Sequence, residues 1–208
     1  MATLDYPTLT EVKQSLESKL GEMMKTGELP DVITFAGNGE PTLHPEFPLI
    51  IDITITLRNK YCPSAKIAVL SNSTLIHDTN IYNSLLKVDQ NILKLDSAIP
   101  ETIEILNQPL FKVEISNLIE NLKRFSGRCT IQTLFVKGTF SGKIIDNTTD
   151  VEVNAWLKAI QEIKPKDVMI YTIARETPTD TLYKIPLSIL HGIARKVESL
   201  GIKTQVSG

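Results

Sequence analysis

Apolar residues in this chain alternate between a helical spacing and short continuous runs. Thr8 and Glu11 predict a capping box, and apolar residues then recur every three or four positions until Gly27, which predicts an opening helix. The run from Asp31 to Ala36 is short and β-like, and it ends at Gly37-Asn38-Gly39. This pattern predicts a strand that enters a turn.

The same alternation continues to the end of the chain. Strands are bounded by turn residues, and helices carry apolar positions on one face. The further predicted strands are Lys66 to Leu70, Asn91 to Asp96, Cys129 to Val136, Asp167 to Ile173 and Ile202 to Val206, and the predicted helices are Glu46 to Tyr61, Asn80 to Lys87, Glu101 to Asn107, Val113 to Phe125, Val151 to Ile163 and Ser188 to Leu200.

Six apolar strands that alternate with helices predict an α/β fold with a parallel sheet covered by helices. The right-handedness of crossovers leaves two architectures, an open doubly wound sheet or a (β/α) barrel. A closed eight-fold barrel typically needs about 250 residues, whereas this chain has 208. We therefore expect a single domain over residues 1–208 that forms a partial (β/α) TIM-like barrel.

Composition and charge exclude some classes of function but do not identify one. The formal net charge is −2 and lysine and arginine are not clustered, which argues against nucleic-acid binding by bulk electrostatics. The longest apolar stretch, Phe47 to Leu57, is too short to cross a bilayer, and the start has no signal-peptide pattern. Two distant cysteines, Cys62 and Cys129, then favour a reducing, cytoplasmic setting with no membrane partner.

Polar residues follow five successive predicted strands. The carboxyl ends of the strands are where α/β folds bind ligands, so this restriction of polar residues to one rim predicts a polar small-molecule site. The residues concerned are Gly37 to Pro41, Ser71 to Ser73, Lys94 to Ser97, Lys137 with Gly138, and Tyr171 with Thr172 followed by Arg175.

The first of these loops is the most specific. Gly37 and Gly39 let the backbone approach a ligand, Asn38 tolerates a positive φ, Glu40 is a fixed carboxylate and Pro41 stiffens the exit. Such a loop can hold a ligand ammonium. An ordinary strand-to-helix turn, with its carboxylate at a helix N-terminus, would have the same sequence pattern. The loop is not a phosphate loop, because neither Gly-Lys-Ser/Thr nor Gly-x-Gly-x-x-Gly is present.

The run Ile33 to Leu43, ITFAGNGEPTL, resembles the second strand and GGEP motif of the radical S-adenosylmethionine (SAM) superfamily. Within it, the chain is most similar to the branch of cytoplasmic iron–sulfur oxidoreductase-like proteins related to the wyosine-forming tRNA-modifying enzymes. The resemblance covers most of the chain and continues through Val69 to Ser73, Leu93 to Ala98, Gln132 to Gly138 and Tyr171 to Ile173.

This resemblance implies a set of SAM-binding residues. The loop from Gly37 to Pro41 would hold the methionyl amino group, with Asn38 at a position where the motif usually has glycine. The residues implied around the SAM carboxylate and ribose are Ser71, Asn72, Ser73, Lys94 and Asp96, and those implied on the ribose and adenine side are Gln132, Lys137 and the backbone near Tyr171.

One departure from the family concerns the metal. The C-x3-C-x2-C motif that ligates a four-iron four-sulfur cluster is absent, and Cys62 and Cys129 are expected to be structural thiols, so no metal ligand is assigned. We expect the cluster segment and the first strand of the barrel to precede Met1 in a fuller parent protein that also needs an external electron donor. The alternative is a natural homologue that has no cluster. The chain alone is then expected to be inactive.

Other functions fit parts of the same sequence. Lys94 and Asp96 share one face of a strand, as expected for a Schiff-base lyase or aldolase in a barrel. A third possibility is a non-catalytic module that binds a small molecule or a partner at the rim. The substrate is not specified by the sequence and can be a nucleic acid, a peptide or a metabolite.

Overall fold

The computed structural model describes residues 6–36, 39–109, 112–125, 127–140, 142–173 and 181–208. The helices are α1 (Leu9–Thr26), α2 (Phe47–Tyr61), α3 (Thr79–Leu85), α4 (Pro100–Asn107), α5 (Ile115–Lys123), α6 (Asp150–Ile163) and α7 (Leu187–Glu198), with a 3-10 helix at Pro41–Leu43. The strands are β1 (Val32–Phe35), β2 (Lys66–Ser71), β3 (Gln90–Lys94), β4 (Thr130–Leu134), β5 (Val136–Phe140), β6 (Lys143–Asp146), β7 (Asp167–Tyr171), β8 (Leu182–Lys184) and β9 (Lys203–Ser207).

Six strands form one sheet in the order β1-β2-β3-β4-β7-β9. The pairs β1–β2, β3–β4, β4–β7 and β7–β9 are parallel, and helices lie between successive strands along the chain. The fold is therefore α/β, as predicted. Within the described ranges the sheet does not close on itself, which is consistent with a partial TIM-like barrel.

A second, antiparallel sheet in the order β6-β5-β8 was not predicted. The single strand expected from Cys129 to Val136 is in fact two, because β4 ends at Leu134 and β5 begins at Val136. Gly138 makes this sheet possible. Its φ is +138° and a Cβ there would lie 2.1 Å from the Thr181 carbonyl oxygen, so a side chain would collide with the neighbouring backbone.

The residues divide into two compact units, the first of which holds the described residues up to Ser71 together with Leu75–Asn91. Its opening helix is capped as predicted: Thr8 accepts from the Glu11 amide, Glu11 accepts from the Thr8 amide, and Gly27 ends the helix with φ 77°. Helices α1 and α2 pack together through a buried cluster of Leu20, Leu57, Cys62 and Ala65.

The second unit comprises Asn72–Thr74 and the residues from Ile92 onward. Helix α6 buries the apolar face that its spacing predicts, including Val153, Trp156, Ile160 and Ile163. The Trp156 ring meets Phe135 edge to face, with centroids 5.4 Å apart. This aromatic pair lies directly behind the end of β4 and supports the residues described below.

No helix within the described ranges combines the length and the apolar character needed to cross a bilayer.

Candidate functional site

In the first unit, the predicted ligand loop follows the end of β1. Gly37 and Asn38 lie outside the described residues. Glu40 caps the 3-10 helix, since its Oε1 accepts from the Thr42 amide at 3.2 Å and from the Thr42 hydroxyl at 2.6 Å. A Cβ added at Gly39 would meet no atom within 4 Å. The Glu40 carboxylate is thus held by local hydrogen bonds beside open space.

A pocket of about 310 Å³ adjoins Glu40 within the first unit. A carboxylate at the edge of aromatic and aliphatic walls suits a ligand that is cationic at one end and apolar beyond it. The walls are formed mainly by Tyr6, Val12, Phe35, Phe47 and Ile50.

His44 lines the same pocket. Its Nε2 lies 2.8 Å from the Pro7 carbonyl oxygen, its Nδ1 accepts from the Glu46 amide at 3.0 Å, and its ring meets Tyr6 edge to face. Because a carbonyl only accepts and an amide N–H only donates, this arrangement fits a neutral imidazole with its proton on Nε2. The His44 side chain is half-buried and bonded on both nitrogens.

The end of β2 carries the next predicted group. Ser71 is buried at the last position of the strand, in the first unit, whereas Asn72 and Ser73 belong to the second. Asn72 Oδ1 accepts from the Thr74 amide at 2.9 Å, and Ser73 is fully buried with φ 69°. A left-handed serine is uncommon, and such backbone is found preferentially at functional sites.

In the second unit, Lys94, the last residue of β3, forms an ion pair with Asp96 just beyond it. Lys94 Nζ lies 2.9 Å from Asp96 Oδ2; the Lys94 side chain is 29% exposed and that of Asp96 is fully buried. Asp96 Oδ1 accepts from the Leu134 amide at 2.8 Å. The carboxylate therefore has a partner on each oxygen, and the Lys94 side chain beside it is partly exposed.

Burial dominates the chemistry of this pair. It raises the pKa of Asp96 above its ordinary value, against the charge of Lys94 and the Leu134 amide, which act to lower it. Burial also raises the pKa of Tyr171, and the charge of Asp96 adds to that effect. Both groups therefore favour their protonated forms more than solvated groups would, as expected for titratable side chains in a binding cleft.

The strand register of the second unit places further predicted residues on one face. Lys94 pairs with Gln132, which pairs with Met169, which pairs with Gln205. Residues opposite one another in parallel strands share a face, so these side chains form a row across four strands. One layer further along, Leu134 pairs with Tyr171. Lys94, Asp96, Gln132 and Tyr171 are thus brought together.

Lys137 lies elsewhere in the second unit. It is an exposed residue of β5, in the antiparallel sheet, where it faces Asp146 on β6 and Tyr183 on β8. The parallel strands do not include it. Its predicted position at the end of a barrel strand followed from reading β4 and β5 as one element.

The sequence did not point to four buried residues that hydrogen-bond Asp96 or its chain neighbours Leu95 and Ser97. The Asn147 side chain bonds three backbone groups, donating to the carbonyls of Asp96 and Leu134 at 3.0 and 2.7 Å and accepting from the Val136 amide at 2.8 Å. Thr133 donates to the Leu95 carbonyl, and the Trp156 indole donates to the same carbonyl and to the Thr133 hydroxyl. Glu152 accepts from the hydroxyl groups of Ser97 and Thr102.

Cys62 and Cys129 do not fit a metal cluster. Each is about 2% exposed, and they lie in different units. Burial raises the pKa of both thiols, that of Cys129 to about 12, although metal ligation needs the thiolate. Among the described residues no group of three or more His, Cys, Asp or Glu could hold a metal ion. The prediction of structural thiols agrees with this burial.

Comparison with known proteins gives distant relatives. No family model matches the chain. A UPF0026 protein of Synechocystis is 28% identical over 152 residues, which cover 71% of this chain and 52% of that protein. A protein named GTPase Obg from Brachyspira hyodysenteriae is 26% identical over 167 residues, 78% of this chain but 23% of its own length. The chain thus spans about half or less of these relatives, and it has no Gly-Lys-Ser/Thr nucleotide loop.

Solved structures share the fold. A radical SAM methyltransferase from Sphaerobacter thermophilus matches 97% of this chain, over 57% of its own, with a TM-score of 0.71 and 15% identity. A domain of pyruvate-formate lyase-activating enzyme from Bacteroides vulgatus matches 85% of this chain and 98% of its own length, with a TM-score of 0.62 and 16% identity. Streptococcus suis SuiB bound to S-adenosylmethionine matches 94% of this chain and 42% of its own length, with a TM-score of 0.62 and 17% identity.

Proposed function

We propose that this chain is a SAM-binding core of the radical SAM type. The observation that carries the proposal is the Lys94–Asp96 pair, an ordered charged pair at the carboxyl end of a parallel strand, where α/β folds bind their ligands. The fold shared with a radical SAM methyltransferase and with SAM-bound SuiB supports SAM as the ligand. The proposed relation to the wyosine-forming tRNA-modifying enzymes in particular rests on the sequence resemblance.

Each unit offers groups of the right chemistry. In the first, the Glu40 carboxylate beside Gly39 would hold the methionyl ammonium of SAM. In the second, the Lys94 ammonium would bind an anionic or hydroxyl group, while Gln132 and the backbone near Tyr171 would accept and donate hydrogen bonds to the remainder. Gly37, Asn38, Pro41, Ser71, Asn72 and Ser73 remain proposed contacts, whereas Lys137 is not retained because it lies in the antiparallel sheet.

The two thiols limit what this chain can do by itself. Reductive cleavage of SAM to a 5′-deoxyadenosyl radical needs an electron from an iron–sulfur cluster, and neither Cys62 nor Cys129 is placed to ligate one. We therefore propose that the chain binds SAM without cleaving it. Cluster ligands other than these two thiols and an external electron donor would be required for the radical reaction.

Isothermal titration with SAM tests the binding. Glu40→Gln and Lys94→Met should each weaken SAM binding about tenfold or more, the cost of losing one charged hydrogen bond. Glu120→Gln and Lys87→Met are the matched controls, because these residues form exposed surface pairs and should leave the affinity unchanged. Absence of SAM binding by the wild-type protein, or equal affinity in all four variants, would refute the proposal.

The aldolase alternative has its own test at the same lysine. A Schiff-base enzyme should form a borohydride-stable adduct with a carbonyl substrate at Lys94, detectable by mass spectrometry and lost in Lys94→Met. The SAM-binding proposal expects no such adduct. An adduct together with no SAM binding would decide for the lyase.

A further inference from the structure

Asn147 occupies an unusual position for a residue outside the predicted rim. It follows β6 of the antiparallel sheet, is 1% exposed, and directs its whole side chain onto backbone atoms of other elements. Its Nδ2 bonds the carbonyls of Asp96 and Leu134, and its Oδ1 bonds the Val136 amide. The side chain satisfies three backbone groups at the ends of β3 and β4 and the start of β5.

Two of these bonds hold the backbone of Asp96 and of Leu134, the residue whose amide bonds the Asp96 carboxylate. Asp96 is held by its carbonyl, which accepts from Asn147, and by its Oδ1, which accepts from the Leu134 amide. Leu134 is itself held by Asn147 through its carbonyl. The backbone and the side chain of Asp96 are thus fixed against the same residue of β4, and Lys94 is fixed in turn through Asp96 Oδ2.

We propose that Asn147 is a positioning residue, which fixes the Asp96 carboxylate and through it aims the Lys94 ammonium at the ligand. The inference rests on the proposed function for the identity of that ligand, but the positioning of Asp96 is independent of it. No other residue type of this size supplies two donors and an acceptor in one plane. Buried polar partners of this kind commonly set the geometry of a binding group that they do not touch.

The test uses two substitutions that remove different hydrogen bonds of the Asn147 side chain. Asn147→Asp keeps the volume and the acceptor for the Val136 amide but loses both donors, whereas Asn147→Ser removes the amide group and all three of its hydrogen bonds. Asn121→Ser is the matched control, because Asn121 lies in α5, away from Asp96, and its side-chain amide bonds the Asn117 carbonyl of its own helix and Arg124. Each variant is followed by the carboxyl carbon signal of Asp96 across a pH titration and by SAM affinity.

Asn147→Ser should shift the Asp96 signal and lower its titration midpoint, since a loosened site admits water. Asn147→Asp should shift the signal as well, but its added carboxylate opposes any fall of the midpoint, because a nearby like charge raises the pKa of a carboxyl group. Both variants should weaken SAM binding about tenfold. Asn121→Ser should change neither the Asp96 titration nor the affinity. An unchanged Asp96 signal and midpoint in folded Asn147→Ser would overturn the inference. A loss of stability that leaves Asp96 unaltered would show a purely structural role.

Two further outcomes are decided by the same design. A wild-type protein that does not bind SAM refutes the proposed function, while the Asp96 titration still decides the role of Asn147. Should both variants fail to fold, amide hydrogen exchange in the wild-type protein decides instead. The Leu134 amide is then expected to exchange as slowly as the core of β4, and exchange as fast as that of surface turns would overturn the inference.

Discussion

Replacing Lys94 by methionine isolates the energetic role of the charged pair. The substitution keeps the length of the side chain but leaves the fully buried Asp96 carboxylate without its ammonium partner. Removing one partner of a buried ion pair costs about 3–5 kcal/mol. Because Lys94 is 29% exposed and the Leu134 amide still bonds the carboxylate, we expect a smaller loss, about 2–3 kcal/mol at neutral pH.

The loss should depend on pH in a known direction. The pKa of Asp96 in the folded protein lies above its ordinary value of 3.8 because of burial, and Lys94 opposes that rise. The folded state therefore binds the proton more tightly than the unfolded state, so stability falls as pH rises from the ordinary pKa through the folded one. Without Lys94 the folded pKa rises further, and the penalty should grow with pH and vanish near pH 4.

Urea unfolding of the wild-type protein and Lys94→Met at several pH values measures this difference. Lys87→Met is the control, because Lys87 pairs with Asp52 on the surface and should cost less than about 1 kcal/mol at any pH. Adding Asp96→Asn to Lys94→Met removes the unpaired charge and should recover most of the loss. Equal losses for Lys94→Met and Lys87→Met, or a Lys94→Met penalty that is constant with pH, would refute this account.

Three further outcomes are expected from other parts of the structure. Gly138→Ala should destabilise the protein by about 2–4 kcal/mol in urea unfolding, because its Cβ would collide with the Thr181 carbonyl. Gly21→Ala, in a helix with room for a methyl group, should instead stabilise the protein by up to about 1 kcal/mol, and equal effects of the two substitutions would contradict the geometry. Trp156→Phe should cost about 1–3 kcal/mol by calorimetry through its lost indole donor, and a neutral effect would mean that those bonds contribute nothing. Cys129 should resist a thiol reagent until the protein is unfolded, given its burial and raised pKa, and rapid labelling of the native protein would contradict its buried position.

Local sequence signals were sufficient for the helices and for the parallel strands. Thr8, Glu11 and Gly27 set both ends of α1, since a capping box and a left-handed glycine are read from neighbouring residues. The apolar spacing that ends at Ile163 likewise predicted α6 and its buried face. These elements are determined by interactions within a few residues, which a sequence pattern contains.

The antiparallel sheet and the support of Asp96 depend on distant residues instead. Strand β8 has three residues and no apolar alternation to distinguish it, and its pairing with β5 depends on the close approach at Gly138. In the sequence, Asn147 cannot be distinguished from an ordinary turn residue before a helix, and only the tertiary fold brings its side chain within hydrogen-bond distance of the Asp96 carbonyl. A buried polar residue and a solvated one look the same in a single sequence.

The arrangement around Asp96 is a poor choice for stability alone. A buried carboxylate raises the cost of folding at neutral pH, and apolar residues of similar volume often replace such pairs without loss. Here Asn147 holds the backbone carbonyl of Asp96, the Leu134 amide bonds its carboxylate, and Lys94, whose side chain is 29% exposed, pairs with that carboxylate. A buried, hydrogen-bonded acid paired with a partly exposed cation suits recognition of an anionic or hydroxyl-bearing ligand, and this is the physical reason for proposing ligand binding at the end of β3.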